Sequence, residues 1–331
     1  MNGKDILSLE KGEKEELDSN KPKNLLLNIK SDFFLRILFG KMHEKRRLEI
    51  IKNNKNIQNI LYININDYKR YCEIYSSIEL EIIPSKSKYG KFINIEESKD
   101  RKYYHIYFND DKNNEINRSY ITYKDKINKI VIKLDMELKS IAGLFYDCKV
   151  IKEIKFTKFN REDFTDLKEL FYGCINLDKL DITKFKTPNV TNINWMFARC
   201  ESLKELNILN FDTSNVTEMM CVFSGCYFLR DLKFNFNTKK VTNMGHMFYK
   251  CKSLTELDLS NFDTTNVICF REMFLECINL NKLNIEYFKL NNDKIEIRGI
   301  FEGCNDTLKA KMKNQFPKIV DKKAFDGRYY L

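Results

Sequence analysis

From about Ile127 onward, two hydrophobic rhythms take turns along the chain. One is the spacing L-x-x-L-x-L, as in Leu177, Leu180 and Ile182, or Leu254, Leu257 and Leu259. Its last three positions read in, out, in, which is the pattern of a short half-buried strand. Just beyond lies a column of aromatic residues: Phe159, Phe185, Phe211, Phe236, Phe262 and Phe288. A polar turn such as Asp212-Thr-Ser-Asn215 follows, and the second rhythm begins. Val216, Met219, Val222, Phe223 and Cys226 fall at i, i+3, i+6, i+7 and i+10, a spacing that predicts one apolar side of a short helix. Asn189, Asn215 and Asn266 stand where they would cap these helices, and Glu218 is placed to complete a reciprocal cap with Asn215.

Each cycle also carries a Phe followed three residues later by a Cys. The pairs are Phe145/Cys148, Phe171/Cys174, Phe197/Cys200, Phe223/Cys226, Phe248/Cys251, Phe274/Cys277 and Phe301/Cys304. Successive cysteines are 26, 26, 26, 25, 26 and 27 residues apart. A fixed period in this range predicts a solenoid of stacked coils, none of which can bury its apolar face alone. Each coil would be a strand, a turn and about two turns of helix. That places parallel strands on one face and helices on the other, with the Phe and Cys columns as an internal ladder.

The stretch Phe211-Asp-Thr-Ser-Asn-Val216 through Leu232, and that from Phe262 to Leu283, closely resemble the BspA-type leucine-rich repeats. This 26-residue class occurs in bacterial and mycoplasma surface proteins and in protists, and its line runs approximately F-D-T-S-N-V-T-x-M-x-x-M-F-x-x-C-x-x-L-x-x-L-x-L. The resemblance covers residues 138–304. It implies an α/β, right-handed leucine-rich-repeat solenoid used for binding or adhesion, with no catalytic residues attached to the motif. The first and last coils depart from it: Phe164 replaces Val, and Leu290-Asn-Asn-Asp-Lys294 carries an extra residue. Terminal coils deviate because they cap.

The remaining chain divides by composition. Residues 1–27 are a charged lead expected to be disordered. Residues 28–77 predict a small helical unit: Phe34, Leu35 and Leu38 on a first helix, Leu48 and Ile51 on a second, Ile57, Ile60 and Leu61 on a third, and a fourth from Asn66 or Asp67. Residues 29–62 faintly resemble an F-box, through Phe34, Ile37, Leu38, Met42, Leu48 and Ile51. They lack a Leu-Pro opening and a closing Trp. Residues 78–137 predict a β-rich cap, with strands at Tyr103–Phe108 and Ser119–Tyr123. It merges into an additional coil near Ile127, whose Ile130 and Ile132 take the strand positions. Residues 305–331 predict a C-terminal cap and basic tail, with Lys309 to Lys323 closing the last coil.

Charge narrows the function. The net charge is +10, yet residues 138–304 contain 23 basic and 22 acidic side chains, so the repeats are almost neutral. A nucleic-acid footprint would concentrate basic residues on one face, so no nucleic acid is expected as a partner. The charged N-terminus has no signal-peptide core and no stretch reaches the roughly 20 apolar residues of a membrane span, so the expectation is a cytoplasmic monomer with reduced cysteines. A ladder of parallel cysteines is not a tetrahedral zinc site. His43, His105 and His246 lie in three different units, and no glycine-rich phosphate loop appears. No cofactor, metal or enzymatic activity is expected. The sequons Asn189-Val-Thr191 and Asn215-Val-Thr217 fall on the predicted caps, where a structural role is favoured.

If the repeats bind a partner, the open strand face is the default site. Its outward columns are Glu153, Lys179, Glu205, Asp231, Glu256 and Lys282, with Lys155, Asp181, Asn207, Lys233, Asp258 and Asn284 beside them. Both mix charges and lack aromatic anchors, which predicts a polar contact of modest affinity. Aromatic exposure is expected instead near Tyr172, Trp195, Tyr227 and Tyr249 on the opposite side. The leading expectation is a non-catalytic protein–protein interaction scaffold. The alternatives are an F-box-like ubiquitin-ligase adaptor and a cell-surface adhesion protein.

Overall fold

The computed structural model describes residues 38–40, 42, 54–62, 78–86, 89–95, 101–135, 138–290 and 294–325. The chain divides into two compact units, Met1–Lys69 and Arg70–Leu331. In the first, Leu38 to Gly40 are helical and Phe39 is fully buried. The predicted third helix is present as α1 (Lys55–Ile60), with Asn54 Oδ1 accepting the Ile57 N–H at 3.1 Å. The lead 1–27, the second and fourth predicted helices, and most of the F-box-like stretch lie outside the described residues.

The second unit opens with antiparallel strands, of which the second and fourth pair in a small sheet of their own. They are β1 (Ile78–Pro84), β2 (Gly90–Lys91), β3 (Tyr104–Phe108), β4 (Tyr120–Ile121) and β5 (Ile130–Leu134). The repeats add β6 (Ile151–Lys158), β7 (Lys179–Asp181), β8 (Glu205–Ile208), β9 (Asp231–Phe234), β10 (Glu256–Asp258) and β11 (Lys282–Asn284). The largest sheet has the order β3-β5-β1-β6-β7. Ile130 and Ile132 are buried strand residues, as their spacing predicts, but β5 does not lie beside β6. Strand β1 is threaded antiparallel between them, with Leu80 opposite both Ile132 and Phe156. Its alternation Ile78-Glu-Leu-Glu-Ile82 buries every second side chain, so one strand seals both neighbours.

Coils are counted by their ladder Phe, from Phe145 as the first to Phe301 as the seventh. Strands pair in parallel as β6–β7, β8–β9 and β10–β11, with Leu206 opposite Leu232 and Leu257 opposite Leu283. A second parallel ladder of single bridges links Asp166, Asn192, Glu218, Asn243, Cys269 and Glu296 without interruption.

The predicted repeat helices are not there. Around each ladder Phe the chain makes overlapping β-turns, as where Leu144, Tyr146 and Cys148 N–H donate to Ile141, Gly143 and Phe145 O within the coil. The alternate donors go to the next coil: Gly143 to Lys168 O at 2.9 Å, Phe145 to Leu170 O at 2.9 Å and Asp147 to Tyr172 O at 2.7 Å. A left-handed residue two before and two after the Phe turns these amides sideways, as at Trp195 and Arg199 or His246 and Lys250. An α-helix of two turns would spend its amides internally and gain few bonds; the turns tie every coil to its neighbour. The predicted Asn caps are corrected with the helices. Asn189, Asn215 and Asn266 donate Nδ2 to Glu162, Pro188 and Lys239 O, at 2.9, 2.7 and 2.7 Å, in the preceding coil.

The stack is polar, with turn carbonyls facing one end and amides the other, and each end is closed by groups of opposite sense. At the first coil Asn94 donates its N–H to Leu144 O at 2.7 Å and Nδ2 to Gly143 O at 3.2 Å. At the last, Gly299 and Phe301 donate to Lys323 and Ala324 O, both at 2.9 Å. Phe325 then stacks on Phe301 at 5.5 Å as a further rung. Helix α2 (Asp306–Gln315) buries Leu308 and Met312, and Lys311 Nζ reaches Leu283 O on the edge strand at 3.4 Å.

Candidate partner-binding face

The internal ladder comes first, because it decides which residues have reactivity to offer. All fourteen Phe and Cys residues are buried. The ladder rings stack at 5.4–5.8 Å. From the second coil onward each thiol donates to the carbonyl of the preceding ladder Phe. Cys174 reaches Phe145 O at 3.1 Å, Cys226 reaches Phe197 O at 3.1 Å and Cys277 reaches Phe248 O at 3.0 Å. Burial pushes Cys226 and Cys304 up to about 12. Thiols held protonated are poor nucleophiles and poor metal ligands. The nine described cysteines form no disulfide.

The twelve predicted outward residues do share one face, and they line two shallow grooves. One, of 540 Å³, runs from Glu153 and Lys155 across Lys179, Asp181, Glu205 and Asn207 to Asp231 and Lys233. The other, of 790 Å³, holds Lys233, Glu256, Asp258, Lys282 and Asn284. The first column mixes signs, with three acids in succession from Glu205 to Glu256, and partly pairs: Lys179 with Glu153 at 3.7 Å, Lys282 with Glu256 at 3.4 Å. These are exposed pairs worth little stability.

The second column has a different job. Asp181, Asn207, Asp258 and Asn284 each accept, through Oδ1, the N–H two residues on, at 3.2, 3.2, 3.0 and 3.4 Å. These Asx-turns close four of the six repeat strands, and the bonds from Ser260 hold the Asp258 carboxyl below its ordinary value. Lys155 and Lys233 are the exceptions, and the coil of Lys233 is the 25-residue one, which lacks the turn residue equivalent to Leu209. There Leu232 and Phe234 stay half-buried beside the exposed Leu209. Phe234 packs edge-on against Phe262 at 5.9 Å and lines the second groove. The only sequence signal for this aromatic contact is the single short step in the cysteine period.

On the opposite side Tyr172, Trp195, Tyr227 and Tyr249 are half-buried, and Trp195 packs edge-on against Tyr172 at 5.9 Å. His105 bridges Glu115 at 3.1 Å and Asp135 at 3.2 Å, while His246 faces the buried Glu272 at 3.4 Å. Neither is aimed at a ladder thiol by any hydrogen bond. Among the described residues no group of three or more His, Cys, Asp or Glu is placed to hold a metal ion, and no helix is long and apolar enough to cross a membrane.

Comparison with known families fits this repeat geometry. The family described as "Mycoplasma protein of unknown function, DUF285" matches residues 139–233 and 228–315, together more than half of the 331-residue chain. The chain belongs to this family. Both DUF285 matches fall on the stacked coils and the second extends through α2, and the repeats are of leucine-rich type. Among solved structures, a leucine-rich repeat protein of T. pallidum (TpLRR) is similar, at 17% identity and a TM-score of 0.33, over 53% of this chain and 74% of that one. No curated protein matches.

Proposed function

We propose that this DUF285 chain is a non-catalytic protein–protein interaction scaffold, a solenoid whose strand face receives the partner. The observation that carries the reading is the convergence of all twelve outward strand residues on two open grooves with leucine floors. Such a surface suits an extended polypeptide laid across several coils better than a small molecule, whose sites are concave and enclosing. The absence of catalysis is part of the proposal, supported by the buried and protonated ladder thiols.

The test is quantitative capture from the native cell with the purified full chain as bait. The comparison is a variant carrying Lys179→Ala, Glu205→Ala, Glu256→Ala and Lys282→Ala. These exposed changes should leave the melting temperature within about 2 °C. Proteins retained by the natural chain and lost by the variant support the strand face; an unchanged set of retained proteins refutes it.

A further inference from the structure

The β2–β4 ribbon lies before the repeats and has a surface of its own. Its sequence interleaves tyrosine with lysine, in Lys88-Tyr-Gly-Lys91 and in Tyr120-Ile-Thr-Tyr-Lys-Asp-Lys126. Gly90 pairs with Ile121, and Lys91 with Tyr120. Ile121 is buried, and a Cβ at Gly90 would lie 3.6 Å from Val150 Cγ1, so that pair faces inward. Alternation then turns Tyr89, Lys91 and Tyr120 outward. Tyr89 is 56% exposed, Tyr120 50% and Tyr123 72%, and Tyr123 meets Tyr89 edge-on at 6.4 Å. One exposed apolar side chain is ordinary; three aromatic rings on one short ribbon mark a contact surface.

The turn that carries Tyr123 is braced. Arg118 Nη1 and Nη2 donate to Asp125 Oδ2 and Oδ1 at 2.7 and 2.6 Å, and Asp125 Oδ2 also accepts the Thr122 N–H at 2.6 Å and the Thr122 hydroxyl at 2.7 Å. The Arg118 guanidinium lies 5.6 Å from the centre of the Tyr120 ring. Rings held in place before a ligand arrives lower the entropy cost of binding it. The charge left over on the ribbon is positive. Lys91, Lys124 and Lys126 are exposed and none pairs with a carboxylate among the described residues; Lys91 Nζ donates to Asn94 Oδ1 at 2.8 Å. Asp125 is taken by Arg118. On the adjoining turn Asp110 pairs with Lys129 at 2.7 Å and Asp111 accepts the Asn113 N–H at 3.1 Å, and in the first coil Asp147 pairs with Lys149 at 3.1 Å. The even charge balance of the repeats, from which no nucleic acid is expected, therefore does not describe this ribbon.

We infer that the β2–β4 ribbon binds single-stranded nucleic acid, with bases stacked on Tyr89, Tyr120 and Tyr123 and phosphates met by Lys91, Lys124 and Lys126. Exposed aromatic faces beside unpaired cations are what an unpaired strand requires, because every base has a π-face and every linkage a charge. An acidic peptide would use the lysines and leave the rings idle, and a duplex keeps its base faces stacked inside. This site goes beyond the scaffold reading and stands or falls apart from it, since none of its residues belongs to the strand face.

The experiment follows fluorescence anisotropy of fluorescein-labelled probes with the full chain. The probes are oligo(dT), oligo(U), a DNA duplex of the same length and a polyglutamate peptide. Both single strands should bind, and three phosphate contacts should weaken them about twentyfold between about 50 and 200 mM salt. Tyr123→Ala should cost about tenfold in affinity, whereas Tyr123→Phe keeps the ring and should bind as the natural chain does. Changing Lys91, Lys124 and Lys126 to Gln should flatten the salt dependence. All these side chains are exposed, so the melting temperature should stay within about 2 °C. The fourfold strand-face variant should bind both strands unchanged. Silence of both single strands, equal or better binding of the duplex or of polyglutamate, or indifference to Tyr123→Ala overturns the site and leaves the strand-face reading untouched. Loss of binding in the fourfold variant alone would move the nucleic acid to the strand face and overturns the ribbon equally.

Discussion

At the scale of single residues, the position two after each ladder Phe shows how tightly the turns are stacked. It runs Asp147, Gly173, Arg199, Gly225, Lys250, Glu276 and Gly303, all with φ between +56° and +71°. A left-handed conformation costs a non-glycine residue about 1–2 kcal/mol, so glycine relieves strain, but it also makes room. A Cβ added at Gly173 would lie 2.9 Å from Asp147 Oδ1 and 3.3 Å from Asp147 Cα, and the backbone atom cannot swing away. At Gly225 the nearest atom would be Arg199 Cγ, at an ordinary 3.5 Å. Gly225→Ala should therefore lose about 1 kcal/mol, the conformational cost alone, and Gly173→Ala about twice that. Urea denaturation of the two variants measures the difference. Equal losses would mean that coil spacing gives way locally and that steric fit between coils is not what places these glycines.

At the scale of elements, the buried threonines act as the counterpart of the Asn column. Thr213 Oγ1 donates to Asn237 O at 3.0 Å and accepts the Asn237 N–H at 2.8 Å, so one hydroxyl serves both backbone groups of the next coil. Thr213→Val keeps the shape and removes both bonds, and should cost about 1–3 kcal/mol. Thr213→Ser keeps the hydroxyl and should lose less. Chemical denaturation separates them, and a valine as stable as the serine would deny the hydroxyl its bridging role. This column also shows what the sequence could convey. The Phe and Cys rungs and the L-x-x-L-x-L strands were legible because burial repeats with the coil. The turns around Phe223 share a helix's spacing because consecutive β-turns also bring Val216, Met219 and Phe223 to one side at intervals of three and four. Asn215 looked like a cap because an amide bonding backwards to Pro188 has the same place in sequence as one capping forwards. The insertion of β1 beside β6 was out of reach, since Leu80 and Phe156 meet across 76 positions with no local signature. The outward strand columns were found by alternation, but alternation cannot tell Asp258, occupied by its turn, from Lys233, which is free of one.

At the scale of the unit formed by residues 70–331, a stack closed at both ends keeps its thiols dry, and that has a consequence at alkaline pH. In the unfolded chain a cysteine ionises near 8.5. In the fold, burial pushes Cys221, Cys226 and Cys304 up to about 12 and raises Cys200, Cys251 and Cys277 well above the ordinary value. These are acids held protonated by folding, so their contribution is fully present below about pH 8.5. It is lost as pH rises through the window up to about 12, because there the unfolded chain has shed protons that the native chain retains. Each such thiol removes about 1.4 kcal/mol of stability per pH unit in that window. The three with values near 12 together remove roughly 4 kcal/mol per unit, against a total of about 5–15 kcal/mol for a typical domain. Under reducing conditions the urea midpoint should accordingly hold to about pH 8.5 and then fall steeply, with unfolding in buffer by about pH 10–11. Replacing Cys226 and Cys304 by Ala lowers stability at pH 7 through lost packing and lost bonds to Phe197 and Phe274 O, yet flattens the alkaline slope by about 3 kcal/mol per unit. The two curves should converge as pH rises. Parallel curves would show that the ladder thiols ionise in the folded state, which a sealed interior does not permit.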